Sequence, residues 1–584
     1  MVVRRRGAAK PHRFAENPIL KLALPAWRAK FMGILLLVLF ALLLGKAFYL
    51  QVVDSAFLQA RGDDRMRRDL AVPALRGKIL DRDGNLLAVS VPARSIWAIP
   101  ADARLSGAEI RQLAKLLEMD ADALRRRLSG KGSFVYLQRQ VSPETAERVA
   151  ALKLPGIHQE SEFRRTYPSA DVAAHVVGFT GVDDMGLEGM ELAFQEKLTG
   201  IPGQRSVIRD RRGQIVADIG AMRPPQNGED IRLSLDSRLQ FLAFAAIREA
   251  AREHRAKSAS AIVVDAKNGE ILALANWPSY NPNDRSSLAD PSLRRNRAIT
   301  DSFEPGSTLK PFTVALALEK GKFRFDSVID CAPGRLTIGN ATISDTHSYG
   351  LLSIAQIVQK SSNVGSSKIA AHFPPKEMWE MFDALGFGVS PALGFPGEES
   401  GRGRLRPWKN WRPIEQATMS YGHGISVSLV QLVRAYLAFA RDGDLVPLSL
   451  TVQDQPLPRG QQIFSPQTVN EIRAMLEMVV NPGGTATRAQ VSGYRVGGKT
   501  GTAYKLEGGV YTRKYVASFV GIVPMSTPRY VIAVLVDEPS AGQHFGGSVA
   551  GPVFSRIASG VLNARNVAPD ALLVVEGAKQ MGTL

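Results

Sequence analysis

The run FMGILLLVLFALLLG, Phe31 to Gly45, restricts this chain more than any other stretch. Its fifteen residues are too few to cross a bilayer, which takes roughly twenty in a helix. Lys46 interrupts, but AFYLQVV carries the apolar pattern on to Val53. A lysine one turn from a helix end can extend its ammonium to the interface. The expectation is therefore one transmembrane helix over 31–53, with Tyr49 near its outer boundary. Residues 1–30 hold eight Lys and Arg against one acid, Glu16. Such an excess keeps the preceding tail in the cytoplasm and puts everything after Asp54 outside. A cleaved signal peptide is the rival reading. The long basic region and the lack of a clean small-x-small cleavage site argue against it.

The exported part must then contain whatever chemistry the chain performs. With 584 residues and 45% hydrophobic content, it can bury two or more domains. Cys331 is the single cysteine, so an internal disulfide and a Cys-rich zinc site are both excluded; it reads as a plain buried residue. The eight histidines show no metal-ligand spacing. The net charge of +18 admits an anionic partner, yet no zinc-finger spacing or aromatic-basic motif points to nucleic acid.

A polar Pro/Gly stretch, PPQNGED at 224–230, divides the exported part. The expected organisation is a basic tail (1–30), the membrane helix (31–53), a pedestal segment (54–228), a second domain (229–566) and a tail (567–584). In the pedestal segment, RGKILDRDGNLLAVS (76–90) reads as a hairpin turning at Asp83-Gly84-Asn85. Residues 120–128 and 142–152 read as helices capped by Asp120 and Ser142. In the second domain, 236–254, 353–360, 428–443 and 465–480 read as helices, and another follows GSTLKPF, stopped by Gly321. Residues 259–276 form a strand hairpin turning at Asn268-Gly269, and 515–524 and 529–539 are strands. Hairpins at both ends with helices between imply an α+β domain, an antiparallel sheet packed by helices.

Gly493 to Thr500 fills the phosphate-loop pattern G-x-x-x-x-G-K-[ST]. A phosphate loop must open a helix, whose N-terminus and loop amides cradle the anion. Here Gly501 and then Gly508-Gly509 break any helix, and the stretch reads as strand, turn, strand. ATP is also not supplied on the outer side of the membrane.

Serine chemistry accounts for the same lysine better. Ser307 and Lys310, in FEPGSTLKPF, are three apart, so on a helix they share a face. A serine hydroxyl needs a base within hydrogen-bond reach, and a desolvated lysine near another cation can be that base. Alone, S-x-x-K is a frequent chance pattern. Ser361-Ser362-Asn363 follows 54 positions after Ser307, and Lys499-Thr500-Gly501 lies 138 positions after Ser361. The order S-x-x-K, S-x-N, K-T-G resembles the signature of penicillin-binding proteins and serine β-lactamases.

The whole chain resembles class B penicillin-binding proteins, monofunctional peptidoglycan D,D-transpeptidases. RGKILDRDG (76–84), RRTYPSADVAAHVVGFTG (164–181), GLEGMELAFQEKLTG (186–200) and RDRRGQIV (209–216) are similar to stretches of their non-catalytic pedestal, the dimerisation-type domain. EPGSTLKPF, KSSNVGSSKIA and GFPGE look most like the division-specific (FtsI) type, with the elongation-specific type as rival. Thr500 stands where many relatives have serine; either hydroxyl can hydrogen-bond.

The resemblance implies an antiparallel five-stranded sheet flanked by helices, with an all-helical subdomain. It implies a catalytic set of Ser307, Lys310, Ser361, Asn363 and Lys499, with Ser307 as nucleophile and Lys310 as its base. Thr500, Gly501 and Thr502 would bind substrate, and the backbone N–H groups of Ser307 and Thr502 would form the oxyanion hole. The substrate would be a stem peptide ending in D-Ala-D-Ala, with β-lactams as its mimics and no metal or organic cofactor. A polytopic septal glycan polymerase of the SEDS family and other division proteins would be partners at the inner membrane, with no nucleic acid. A carboxypeptidase or β-lactamase, and a non-enzymatic β-lactam sensor, remain as alternatives. His423 in YGHG and His544 in HFGGS receive no catalytic role.

Overall fold

The computed structural model describes residues 25–54, 67–130, 132–209, 215–453, 455 and 459–571. Two compact units divide the chain. The first holds the N-terminal helix and an antiparallel three-stranded sheet of Arg67–Val72, Gly203–Arg209 and Ile215–Arg223. The helix runs over Ala26–Phe48 and continues as a wider turn through Tyr49–Val53. It is the one helix among the described residues long and apolar enough to cross a membrane. It begins directly after Pro25, five residues before the apolar run. Hydropathy marks the part that suits hydrocarbon, whereas Pro25, which cannot donate a backbone hydrogen bond, marks the helix end. Lys46 Nζ lies 5.0 Å over the Tyr49 ring. Most of the basic tail (1–24) and most of the C-terminal tail (572–584) lie outside the described residues, as do residues 210–214 of RDRRGQIV.

The second unit covers residues 73–201 and 226–584. Its N-terminal part contains the expected hairpin, where Ile79 pairs with Ala88 and Gly84 takes φ +88°. Asp81 Oδ1 accepts the N–H groups of Asp83 and Asn85, which closes the turn. The helices over Ala121–Leu128 and Pro143–Ala151 are capped by Asp120 and Ser142 as expected. Three stretches that look like pedestal motifs meet in one buried ion cluster. Arg76 Nε and Arg165 Nε each lie 2.7 Å from a Glu191 oxygen, with all three side chains at most 2% exposed. Removing Glu191 would leave two buried guanidinium groups without their carboxylate, a loss of about 3–5 kcal/mol. The same hairpin is bonded to the residues that follow the pedestal segment: Arg82 reaches Glu270 at 2.9 Å and Ser237 Oγ donates to Asp81 at 2.6 Å.

The C-terminal part is built on a five-stranded antiparallel sheet. Its strands are β1 (Ser258–Asp265), β2 (Ile271–Trp277), β3 (Gly497–Glu507), β4 (Val510–Val523) and β5 (Tyr530–Asp537), in the order β2-β1-β5-β4-β3. Ile262, Val263 and Val264 of β1 and Val531, Ile532 and Ala533 of β5 are fully buried, because both faces of the central strands are covered. Helices α1 (Ser237–Glu253) and α7 (Gly546–Ala564) pack together against the sheet. Lys310–Glu319 (α2), Ile354–Lys360 (α3), Asn363–Ala370 (α4), Leu429–Ala440 (α5) and Pro466–Val480 (α6) supply the other helical layer. Ser353, Ser428 and Ser465 cap α3, α5 and α6. Gly321 takes φ +62° after α2. Strand β3 ends the sheet, and Gly508 and Gly509, at φ +60° and +85°, turn it into β4. The phosphate-loop match thus lies on a strand and the turn leading into it.

Candidate active site

Ser307 sits in a short 3-10 turn, Gly306–Leu309, that leads directly into α2 at Lys310. Such a turn has three residues per revolution, so side chains three apart eclipse each other. Lys310 Nζ accordingly lies 2.6 Å from Ser307 Oγ. The sequence reading expected an α-helix opened by Ser307; the tighter turn aligns the pair more directly. The turn is held from behind. Gly306 N–H donates to Gly422 O at 3.1 Å, and a Cβ on Gly422 would come within 2.1 Å of Gly306 O. Tyr436 Oη donates to Thr308 O at 2.7 Å.

The second motif occupies the junction of α3 and α4. Ser361 ends α3 in the left-handed region at φ +63°, a conformation a residue with a side chain rarely adopts. Ser362 then caps α4, accepting the Gly365 N–H at 2.8 Å. The Asp345 carboxylate fixes this junction: it accepts from Ser362 Oγ at 2.6 Å, from Asn363 N–H at 2.5 Å and from Val364 N–H at 3.1 Å. Asn363 is thereby aimed inward, with Oδ1 2.7 Å from Lys310 Nζ and Nδ2 donating to Ser344 O at 2.9 Å.

The third motif lies on the edge strand β3. Lys499 Nζ reaches Ser361 Oγ at 3.0 Å, and Lys310 Nζ lies 3.2 Å from the same oxygen. The Ser361 hydroxyl therefore connects the two lysines. Thr500 Oγ1 lies 3.1 Å from Thr485 Oγ1, and Thr502 Oγ1 accepts the Gly546 N–H at 2.9 Å. At Gly501 a Cβ would fall 2.3 Å from Ser518 Oγ and 2.8 Å from Pro305 O. Only glycine lets β3 lie this close to the segment before Ser307. The structure thus brings Ser307, Lys310, Ser361, Asn363 and Lys499 into one hydrogen-bonded chain, with Thr500 to Thr502 on the adjoining strand.

The electrostatics favour the uncharged form of the Lys310 amine. Lys310 and Lys499 are both fully buried. Burial pushes the Lys310 pKa well below its ordinary value, and the Lys499 charge pushes it further, while Asp345 opposes. Burial lowers Lys499 to about 7. His423, 3.4 Å from Glu304, is lowered to about 4 by burial and the Lys310 charge. His544 stacks on Tyr515 at 4.0 Å. Cys331 is buried, as its lone occurrence implied, with Ser362 Oγ 3.6 Å from its sulfur.

Sequence reasoning missed Asp345, Glu304 and Tyr511. Asp345 lies 18 positions from Asn363, outside the three motifs, with no periodicity or spacing to single it out. Glu304 stood inside a quoted stretch. Its carboxylate accepts from Gly424 N–H at 2.9 Å and from Tyr511 Oη at 3.0 Å, contacts that only the folded chain brings together.

An antiparallel sheet with a serine-lysine turn against its edge strand defines a class of fold, and comparison with known proteins agrees. A model of the penicillin binding protein transpeptidase domain matches residues 259–559, and one of the penicillin-binding protein dimerisation domain matches 71–233. The probable peptidoglycan D,D-transpeptidase PenA of Neisseria gonorrhoeae is 45% identical over 558 residues, covering 94% of this chain and 95% of that protein. The peptidoglycan D,D-transpeptidase FtsI of Escherichia coli K12 is 43% identical over 557 residues, covering 94% and 93%. The solved transpeptidase domain of Burkholderia pseudomallei penicillin-binding protein 3 is 48% identical, with a TM-score of 0.54, and covers 58% of this chain and 98% of that one. The chain belongs to the penicillin-binding protein family, as a peptidoglycan D,D-transpeptidase of the FtsI and PenA type.

Proposed function

We propose that this protein cross-links stem peptides of septal cell wall through an acyl-enzyme on Ser307, and that β-lactams acylate the same serine. The observation that carries the reading is the 2.6 Å separation of Lys310 Nζ and Ser307 Oγ in a buried, cation-rich site. Neutral Lys310 takes the Ser307 proton as Oγ attacks the carbonyl carbon of the penultimate D-Ala. The Ser307 and Thr502 N–H groups stabilise the oxyanion. Ser361, bonded to both lysines, returns a proton to the leaving D-Ala nitrogen. An amine of a second stem then attacks the ester carbon, and Ser307 Oγ leaves with a proton. Asn363 holds the substrate amide, and Lys499, Thr500 and Thr502 bind its terminal carboxylate. Gly501 lets the peptide backbone approach β3.

The reading extends to the rest of the chain. Residues 1–30 form a cytoplasmic tail, 31–53 the membrane span, 54–228 a pedestal, 229–566 the transpeptidase domain outside the inner membrane, and 567–584 a tail. The basic tail supports that orientation. The pedestal and span dock a polytopic glycan polymerase of the SEDS family and other division proteins. Depletion of the protein should give filaments; round cells would assign it to elongation.

A fluorescent penicillin tests the site. Ser307→Ala should abolish covalent labelling while the melting transition is retained. Persistent labelling would remove Ser307 from the mechanism, and rapid release of the label from the parent protein would favour a β-lactamase.

A further inference from the structure

Tyr421 opens the YGHG stretch, which the mechanism above leaves unused. Its ring is 8% exposed and packs with Ile343 and Ala417. The backbone on either side of it is tied to the catalytic elements. Ser420 O accepts from Thr313 of α2 at 2.9 Å and from Ser366 of α4 at 3.0 Å. Gly422 O accepts the Gly306 N–H at 3.1 Å, next to Ser307. The helices that carry Lys310 and Asn363, and the turn that carries Ser307, all hold the segment that presents this ring. Lys310 Nζ lies over the ring face, 5.6 Å from its centroid.

An aromatic face is electron-rich, and a cation within about 6 Å of its centre is attracted to it, more strongly where water is excluded. Lys310 is fully buried. Burial and the Lys499 charge favour its neutral amine before attack. The cation forms during the reaction. As Ser307 Oγ bonds to the carbonyl carbon, its proton passes to Lys310 Nζ and the carbonyl electron pair moves onto oxygen.

The other groups around that ammonium give it little support. Lys499 repels it across the Ser361 hydroxyl. Asp345 attracts it, but already accepts from Ser362, Asn363 and Val364. His423, whose ring lies 5.3 Å from that of Tyr421, is kept neutral by burial and stands 3.4 Å from Glu304. Burial, with the Glu304 and Asp345 charges, pushes the Tyr421 phenol up to about 12, so it too stays neutral. An attraction that grows as charge develops lowers the barrier, whereas one present throughout does not. Resting on the reading of Lys310 as the base, we propose that Tyr421 is a positioning residue for acylation, its ring face stabilising the Lys310 ammonium as it forms.

The pH dependence of acylation by benzylpenicillin, followed by stopped flow in the full-length protein, tests this. Loss of the ring penalises only charged Lys310. Tyr421→Leu should therefore lower the rate plateau about three- to tenfold and move the midpoint of the acid limb down by about half to one pH unit. The two effects offset, so the curves converge at low pH. Tyr421→Phe keeps the face and should follow the parent within about twofold. A variant that merely loosened the site would be slow at every pH, with its midpoint in place. That result, or a Phe variant as slow as the Leu variant, overturns the proposal. If Tyr421→Leu shows no melting transition, phenylalanines with one, two and three ring fluorines at position 421 keep the shape while draining the face. Plateau and midpoint should then fall stepwise with fluorine number, and the absence of a trend overturns the proposal. A parent without an acid limb fails the Lys310 reading and this proposal with it; a limb that no variant moves fails this proposal alone.

Discussion

Lys310 Nζ and Asn363 Oδ1 lie 2.7 Å apart, so the amine beside Ser307 is anchored from a different helix than its own. A neutral amine can donate to this oxygen and still keep its lone pair for the serine proton. Lys310→Arg keeps a cation that does not deprotonate in proteins. It should slow penicillin acylation about 10²–10⁴-fold, the usual range for losing a general base. In the parent, acylation should rise with pH on the acid side, because the neutral fraction of Lys310 grows. A flat acid limb in stopped-flow measurements would contradict the assignment.

Lys499 carries a second pH effect, on stability. Its pKa falls from an ordinary 10.5 to about 7 in the folded chain. Below pH 7 the full cost of the buried charge is present. Between 7 and 10.5 the unfolded chain binds more protons, so this contribution to stability rises with pH. Lys499→Met should therefore melt higher than the parent at pH 6, with the gap narrowing toward pH 10. The expected gain at pH 6 is about 1 kcal/mol or more, and penicillin labelling should be lost.

Asp345 holds three donors at the start of α4. Asp345→Asn keeps the shape but replaces a charged acceptor with a neutral amide. Stability should fall by about 1–2 kcal/mol, and acylation about tenfold or more as Asn363 loses its aim. Calorimetry and penicillin kinetics read the two effects separately. A variant with the stability loss but normal acylation would restrict Asp345 to capping.

Ser361 allows strain to be separated from chemistry. Ser361→Ala and Ser361→Gly both remove the hydroxyl between the lysines, and both should slow acylation strongly. Glycine tolerates φ +63° without steric cost. Ser361→Gly should therefore be the more stable of the two by about 1 kcal/mol. Equal stability in denaturant titrations would mean that the left-handed turn stores nothing.

Much of this arrangement was legible in the sequence because it is local. Ser307 and Lys310 share one turn, and Ser353, Ser428 and Ser465 announce helix starts by their own side chains. Gly508-Gly509 announced the hairpin that rules out a phosphate loop. The order of the three motifs identified a shared site, although nothing in their spacing states which atoms touch. Contacts made only by folding stayed hidden. Asp345 clamps the start of α4 from 18 positions upstream, and Tyr511 crosses to Glu304. Ser361 reads as an ordinary serine until its backbone angle is known.

The place of β3 at the end of the sheet has a further consequence. An edge strand exposes unpaired amide and carbonyl groups and invites any extended chain to join it. Under the proposed mechanism this one must stay uncovered, since the incoming peptide becomes a temporary sixth strand. Recognition then rests on backbone shape more than on side chains. A small rigid ring that imitates an extended amide can enter by the same route, and a chain that masked its edge against such impostors would also turn away its substrate.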